Sequence, residues 1–296
     1  MFINTFKKQK KKSPDGFRYR GREGSRLENL TDTIFGFSIT LLIVASEVPE
    51  TYLELQASMY SFIGFICSSM LLLGIWNTHR KFFLHYGLHN KYTRTLNFLF
   101  VFVLLFYIYP LKYLFSYLGT LVYSSIKTKF GDTSDGLRFA IKKLVEAELT
   151  IDQWADLIIR FGIGLLCIYT IFTILHIHAL RKKVLLKLTK REVFITHTFL
   201  QINLILCAVS ILSIVFVSIL GGMYSGHGGL IYLIIPVALT LHRYFRKKKL
   251  NRKPWKKIKE EVVEEINEAD KTIPIQEIGK STANKDLASE NNDALP

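Results

Sequence analysis

The chain has 296 residues, is 49% hydrophobic with 22 Phe and 14 Tyr, and carries a net charge of +15; its mean hydropathy is +0.23. Several separate apolar runs of about twenty residues exclude a soluble single-core protein and point to a polytopic helical membrane protein. The basic excess does not point to nucleic acid: Lys and Arg gather at Lys7–Arg26, Arg80–Arg94, Arg181–Arg191 and Arg243–Lys257, each beside an apolar run, as in membrane-flanking loops. Cys67, Cys167 and Cys207 lie within apolar runs with no CxxC or Cys/His spacing, so they read as small buried hydrophobes and not as a disulfide or zinc framework.

In chain order, Met1–Gly24 is Lys-rich, contains Pro14, Gly16 and Gly21, and reads as a disordered basic arm. It is polar through Glu28, which is too long a lead for a secretory signal peptide. The first apolar stretch, Arg26–Val48, is long enough to span the bilayer yet carries Thr31, Asp32, Thr33, Ser38 and Thr40. Such groups are costly in hydrocarbon unless other helices or a water-filled cavity satisfy them. Ile34, Phe37, Leu41 and Val44 make one bulky apolar stripe, with Leu42 off it, and Thr33, Gly36 and Thr40 make a second stripe of small side chains. A helix with both stripes suits the centre of an assembly.

Further spans are expected at about Ser58–Phe83, Thr95–Leu118, Trp154–Leu180, Val193–Leu220 and Leu230–Phe245. Within the long polar connection Thr120–Asp152, Leu137–Leu149 has the spacing of an amphipathic interfacial helix. A Gly-rich hairpin, Gly221–Gly229, precedes the last span. The reading is therefore an all-α integral membrane protein with six transmembrane helices. It divides into a basic cytosolic arm (1–25), a six-helix domain (26–249) and a charged, largely disordered tail (250–296) with an amphipathic pattern at Pro254–Ala269. The four basic segments alternate with non-basic links, which puts both termini in the cytosol.

That topology brings Arg26, Thr31 and Asp32 to the same depth as Trp76, Asn77, His79, Arg80 and Asn97. Asp32 has no basic residue three or four positions away, so its carboxylate calls for donors from other helices, and Trp76, His79 and Asn97 can donate. The same residues also read as an interfacial belt with Arg26 and Arg80 snorkelling, and spacing leaves both readings open. His176 and His178 read as interfacial, and His197, Gln201 and Asn203 as hydrogen-bonding between helices. His227, by its residue type alone, is a candidate sensor of external pH. No nucleophile motif, phosphate loop, paired catalytic carboxylates, metal cluster or cofactor site stands out, so an enzyme is not expected.

The string Arg26-x-x-x-Leu30-Thr31-Asp32, followed by IFGFSITLLIV, resembles the RxxxFSD first helix of the transmembrane protein 175 potassium-channel family. Trp76-x-x-His79 ending the next span, and Leu96-Asn97 opening the third with Pro110 in its outer half, extend the resemblance over Arg26–Leu114. It implies a potassium-selective or other cation channel without the TVGYG filter loop, built around a central axis lined by first helices. Single-unit members of that family are tetramers, so the implied partners are potassium ions, lipid and further copies of this chain. The implied place is the plasma or inner membrane. On the same basis Phe37, Leu41 and Val44 correspond to a hydrophobic constriction with Thr40 beside it. Arg26, Leu30, Thr31 and Asp32 correspond to the signature, and Trp76, His79 and Asn97 to its packing partners. Leu30 and Thr31 replace Phe and Ser of the signature, and Phe37 stands where a smaller aliphatic residue is usual. Four Phe rings on the axis keep a non-conducting scaffold of the same fold open as an alternative. A secondary transporter is the other, though no inverted repeat is visible.

Overall fold

The computed structural model describes residues 16–21, 26–44, 49–147, 149–220 and 225–251; the side chains of Val44 and His227 and the tail pattern at Pro254–Ala269 lie outside the described set. All regular elements among the described residues are helical: α1 (Arg26–Val44), α2 (Tyr52–Tyr60), α3 (Phe62–Tyr86), α4 (Lys91–Lys129), α5 (Asp135–Glu146), α6 (Ile151–Arg181), α7 (Lys190–Leu220), α8 (Ser225–Leu230), a 3-10 turn at Ile231–Leu233, and α9 (Ile234–Asn251). By length and composition, five stretches among the described residues can cross a membrane: Phe62–Tyr86, Lys91–Lys129, Ile151–Arg181, Lys190–Leu220 and Gly228–Leu250. α1, with Glu28 and Asp32 in its first half, is not one of the five.

Local chemistry fixes most helix ends. Asn90 caps α4 by accepting from the Thr93 N–H, and Thr150 with Gln153 forms a reciprocal capping box on α6. Thr189 and Glu192 do the same for α7 (Thr189 N to Glu192 Oε2, 2.9 Å; Glu192 N to Thr189 Oγ1, 3.2 Å). α3 closes on Gly87 in the left-handed conformation (φ 57°), which glycine adopts without steric cost. The second expected span breaks at Ser61 into α2 and α3. The third runs on as α4 for 39 residues. At 1.5 Å per residue that is about 58 Å, roughly twice the hydrocarbon thickness. Its far half carries α2 and α5, where the amphipathic face of α5 buries Leu137 and Ala140 against Tyr60 and Tyr123. The Gly-rich hairpin expectation fails over its second half, which is helical as α8. There the Ser213 hydroxyl of α7 donates to the Gly228 carbonyl (2.8 Å) and holds the short helix against the long one.

The core is aromatic. Phe82 and Phe83 of α3, Phe100 and Tyr107 of α4, and Phe161 and Phe172 of α6 are buried together, and α1 adds Phe35 and Leu42. α7 pairs with α6, and α9 is tied to α7 through His242–Gln201 (3.1 Å) and through Arg246, whose Nε donates to Thr198 Oγ1 (2.9 Å) above the Phe194 ring. Three sequence expectations are corrected here. His176 is not interfacial: it is buried, within hydrogen-bond distance of the Phe172 carbonyl (2.8 Å) and Asn203 Nδ2 (3.2 Å), because α6 turns it into the α3–α7 packing. Cys67 is exposed, on the outward face of α3. The disorder expected of the N-terminal arm does not hold for residues 16–21, where Phe17 is fully buried and Arg18 and Arg20 pair with Glu192.

Candidate functional site

α1 presents two different faces. Thr31, Phe35, Ser38 and Leu42 are buried against α3 and α4. The polar members of that face are satisfied within the helix, Thr31 Oγ1 donating to Leu27 O (2.9 Å) and Ser38 Oγ to Ile34 O (2.7 Å). The opposite face is exposed and carries Thr33, Gly36, Phe37 and Thr40; Phe37 is 57% exposed. Leu41 lies between the two, half-buried against the core with Ile34. Of the three constriction residues and the adjacent Thr40 that the resemblance implies, the structure therefore puts Phe37 and Thr40 on one outward face and turns Leu41 toward the core. Val44 ends the helix, its side chain outside the described residues. Both outward threonines donate their hydroxyl proton back to the helix, Thr33 to Asn29 O (2.9 Å) and Thr40 to Gly36 O (3.1 Å). Each hydroxyl oxygen keeps lone pairs free to face a cation.

At the N-terminal end of α1 the sequence-predicted residues separate into two groups. Trp76 Nε1 donates to Asp32 Oδ1 (2.8 Å) near the surface, with the Arg80 guanidinium over the Trp76 ring. Behind it runs a buried chain with one consistent direction: Asn97 Nδ2 donates to Thr31 Oγ1 (2.9 Å), so Asn97 Oδ1 is the acceptor facing His79 Nε2 (2.6 Å), and that ring nitrogen carries the proton. The His79 ring stacks on Phe100 (5.2 Å between centroids). This corrects the expectation that His79 and Asn97 donate to Asp32. Burial favours a closed chain of neutral partners over a second ligand to an exposed carboxylate. Arg26 and Leu30 are exposed, and no hydrogen bond among the described residues joins Arg26 to these five. The chain ties α1 to α3 and α4, and Asn97→Ala leaves the buried His79 N–H unpaired. A cost on the order of 1–3 kcal/mol follows in water-like terms, drawn down toward ~0.6 kcal/mol within a membrane. Thermal unfolding in detergent is expected to show a larger loss for Asn97→Ala than for Trp76→Phe, which removes only the outer bond; the reverse order would place the structural burden on Asp32.

A family model described as "Endosomal/lysosomal potassium channel TMEM175" matches residues 26–107, which hold α1, α2, α3 and the first part of α4. A potassium channel of Marivirga tractuosa is 35% identical over 237 residues, 78% of this chain and 92% of the relative. The chain belongs to the TMEM175 family. A variant of the potassium channel MtTMEM175, crystallised with a nanobody–MBP fusion protein, superposes with a TM-score of 0.65 at 31% identity, over 80% of this chain and 100% of that one. Both alignments run well past residue 107, so TMEM175 likeness extends beyond α1, α3 and the first part of α4, which carry the sequence signature. With five apolar helical spans among its described residues, this TMEM175-family chain is an integral membrane protein.

Proposed function

We infer that the protein is a potassium channel whose pore is lined by the outward face of α1. Membership of a family of potassium channels, at 92% coverage of a relative so named, carries the functional reading. The exposed Phe37–Thr40 face of α1 supports the placement of the pore, since a large side chain exposed on a helix otherwise packed into the core calls for a neighbour or an axis. With α1 counted as a sixth span, both chain ends lie on one side, and the basic segments favour the cytosol of the plasma or inner membrane. One six-helix unit has one α1 to offer, and closed cyclic symmetry with four copies completes a ring of them. In that ring Phe37 is the dewetting constriction and Thr40 supplies oxygen one turn further along, with Val44 at the helix end and Leu41, half-buried against the core, set back from the axis. Arg26, Leu30, Thr31, Asp32, Trp76, His79 and Asn97 hold the helix in place.

The test is current through purified full-length protein in planar bilayers under a potassium gradient, with cysteines placed at Thr40 for cross-linking. Discrete potassium currents and cross-linked multimers are expected. Intact, monodisperse protein without current would favour the non-conducting scaffold, and absence of cross-linking in membranes would remove α1 from the axis.

A further inference from the structure

Residues 16–21 are joined to α1 by only four residues, yet they are fastened to a different part of the molecule. The buried Glu192 carboxylate (side chain 2% exposed) receives five hydrogen bonds: from Arg18 N (3.0 Å), Arg18 Nε (3.0 Å), Arg18 Nη2 (3.0 Å), Arg20 Nη2 (2.7 Å) and Thr189 N (2.9 Å). The two guanidiniums also reach the carbonyls of the α6–α7 turn, Arg20 Nε to Leu186 O (2.8 Å) and Arg18 Nη2 to Lys187 O (2.6 Å). Lys187 holds a left-handed backbone (φ 46°), a costly conformation for a side-chain-bearing residue that is tolerated where its surroundings demand it. The far side of the strap rests on the end of α3. Arg20 N and Gly21 N both donate to Leu84 O (3.0 Å each), and Phe17 stacks on His85 (4.3 Å between centroids) and meets Tyr86 edge-on. A Cβ on Gly21 would collide with the Phe83 carbonyl, so the strap lies backbone to backbone on α3.

This is a built clasp. Two arginines in bidentate and bridging geometry close on one desolvated carboxylate, and the Arg18 guanidinium is raised above its ordinary pKa by its hydrogen bond to Glu192. From Gly21 to Arg26 the chain can reach at most roughly 18 Å even when fully extended. The N-terminal end of α1 is thereby leashed to the α3, α6 and α7 ends, while the Asn97 chain holds it only one turn further in.

We propose that Glu192, through its clasp on Arg18 and Arg20, is a positioning residue for the pore helix, holding the N-terminal end of α1 in the arrangement that keeps Phe37 on the axis and the channel shut. The inference rests on α1 as the pore helix. The clasp is made in the conformation whose outward α1 face carries Phe37, which under the proposed constriction is the closed one, so releasing it raises the fraction of time the pore is open without changing the pore itself.

The experiment is single-channel recording from full-length protein in planar bilayers. Arg18→Gln/Arg20→Gln is expected to raise open probability several-fold with unitary conductance unchanged. Glu192→Gln is expected to do the same, and the triple variant no more than either, because all act through one contact. Arg20→Lys, which keeps the charge and loses the fork, falls between. Unchanged open probability in the strap variant, a changed unitary conductance, or additive effects would each overturn the clasp as a positioning device. Should Glu192→Gln fail to assemble, the strap variant decides alone, since its substitutions leave the packing of α3 against α6 and α7 intact. Wild-type protein without potassium current overturns the channel reading and this inference with it; wild-type current with unaltered variants overturns the inference only.

Discussion

Phe37→Ala is expected to raise potassium flux through reconstituted protein about tenfold or more, since each ~1.4 kcal/mol taken off a barrier is a factor of ten. In the proposed tetramer four rings would leave the axis together, and a passage that excludes water through large apolar side chains would become wide enough to stay wet. The ring is 57% exposed within the protomer, so its removal opens no large cavity in the protomer core. Leu42, off the apolar stripe in the sequence, is no control: it is 4% exposed and sits in the core, and Leu42→Ala costs about 2–5 kcal/mol as a cavity. Phe106, exposed on α4, loses the same ring from a different helix and serves instead. Flux that rises for Phe37→Ala and stays at the wild-type level for Phe106→Ala supports the constriction. Equal flux in both, with normal assembly, would move the narrowest point elsewhere.

The largest effect on folding is expected from Gly64→Leu. Gly64 on α3 and Gly119 on α4 meet at the point where the two helices touch. A Cβ on Gly64 would run into the Phe115 carbonyl, and one on Gly119 into the Gly64 backbone. Neither obstacle is a side chain that can turn aside. In a membrane, helix association depends on such close backbone approach, because lipid offers no hydrophobic drive to bring helices together. Overpacking costs about 1–3 kcal/mol even where side chains can shift; here the helices must separate, and loss of monodisperse protein is expected. Gly74→Ala in the same helix, with nothing within 4 Å of its Cβ, is expected to be neutral or slightly stabilising. Equal yields for the two variants would mean that α3 and α4 do not cross at Gly64.

Five of the expected spans and the family signature were legible in the chain, because each is written in neighbouring residues. Apolar length, Thr150-x-x-Gln153, Asn90-x-x-Thr93 and Gly87 specify helices and their ends within a few positions of themselves. The Arg26–Asp32 string sits on α1 as read, and the Trp76–His79 and Asn97 motifs come to it from α3 and α4. The caps themselves went unread, and so did one further local signal. Phe17-Arg18-Tyr19-Arg20 alternates aromatic and basic residues inside a Lys-rich arm, and Glu192 is the one acid in Arg181–Glu192, placed by Thr189-x-x-Glu192.

Which surface of α1 faces inward was decided only by tertiary structure. From Ile34 to Val44 only Ser38 and Thr40 are polar, so periodicity offered Ile34–Phe37–Leu41 as readily as Phe35–Ser38–Leu42. Packing against Phe100 and His79 selected the second. The partner of Asp32 was decided the same way, by an indole 44 positions along the chain, and the clasp on Glu192 by arginines 174 and 172 positions before it. Composition and capping act over one turn of helix and can be read one turn at a time. The direction of a helix face and the pairing of a buried charge are settled by what the other helices bring within about 3 Å, and no local pattern carries that distance.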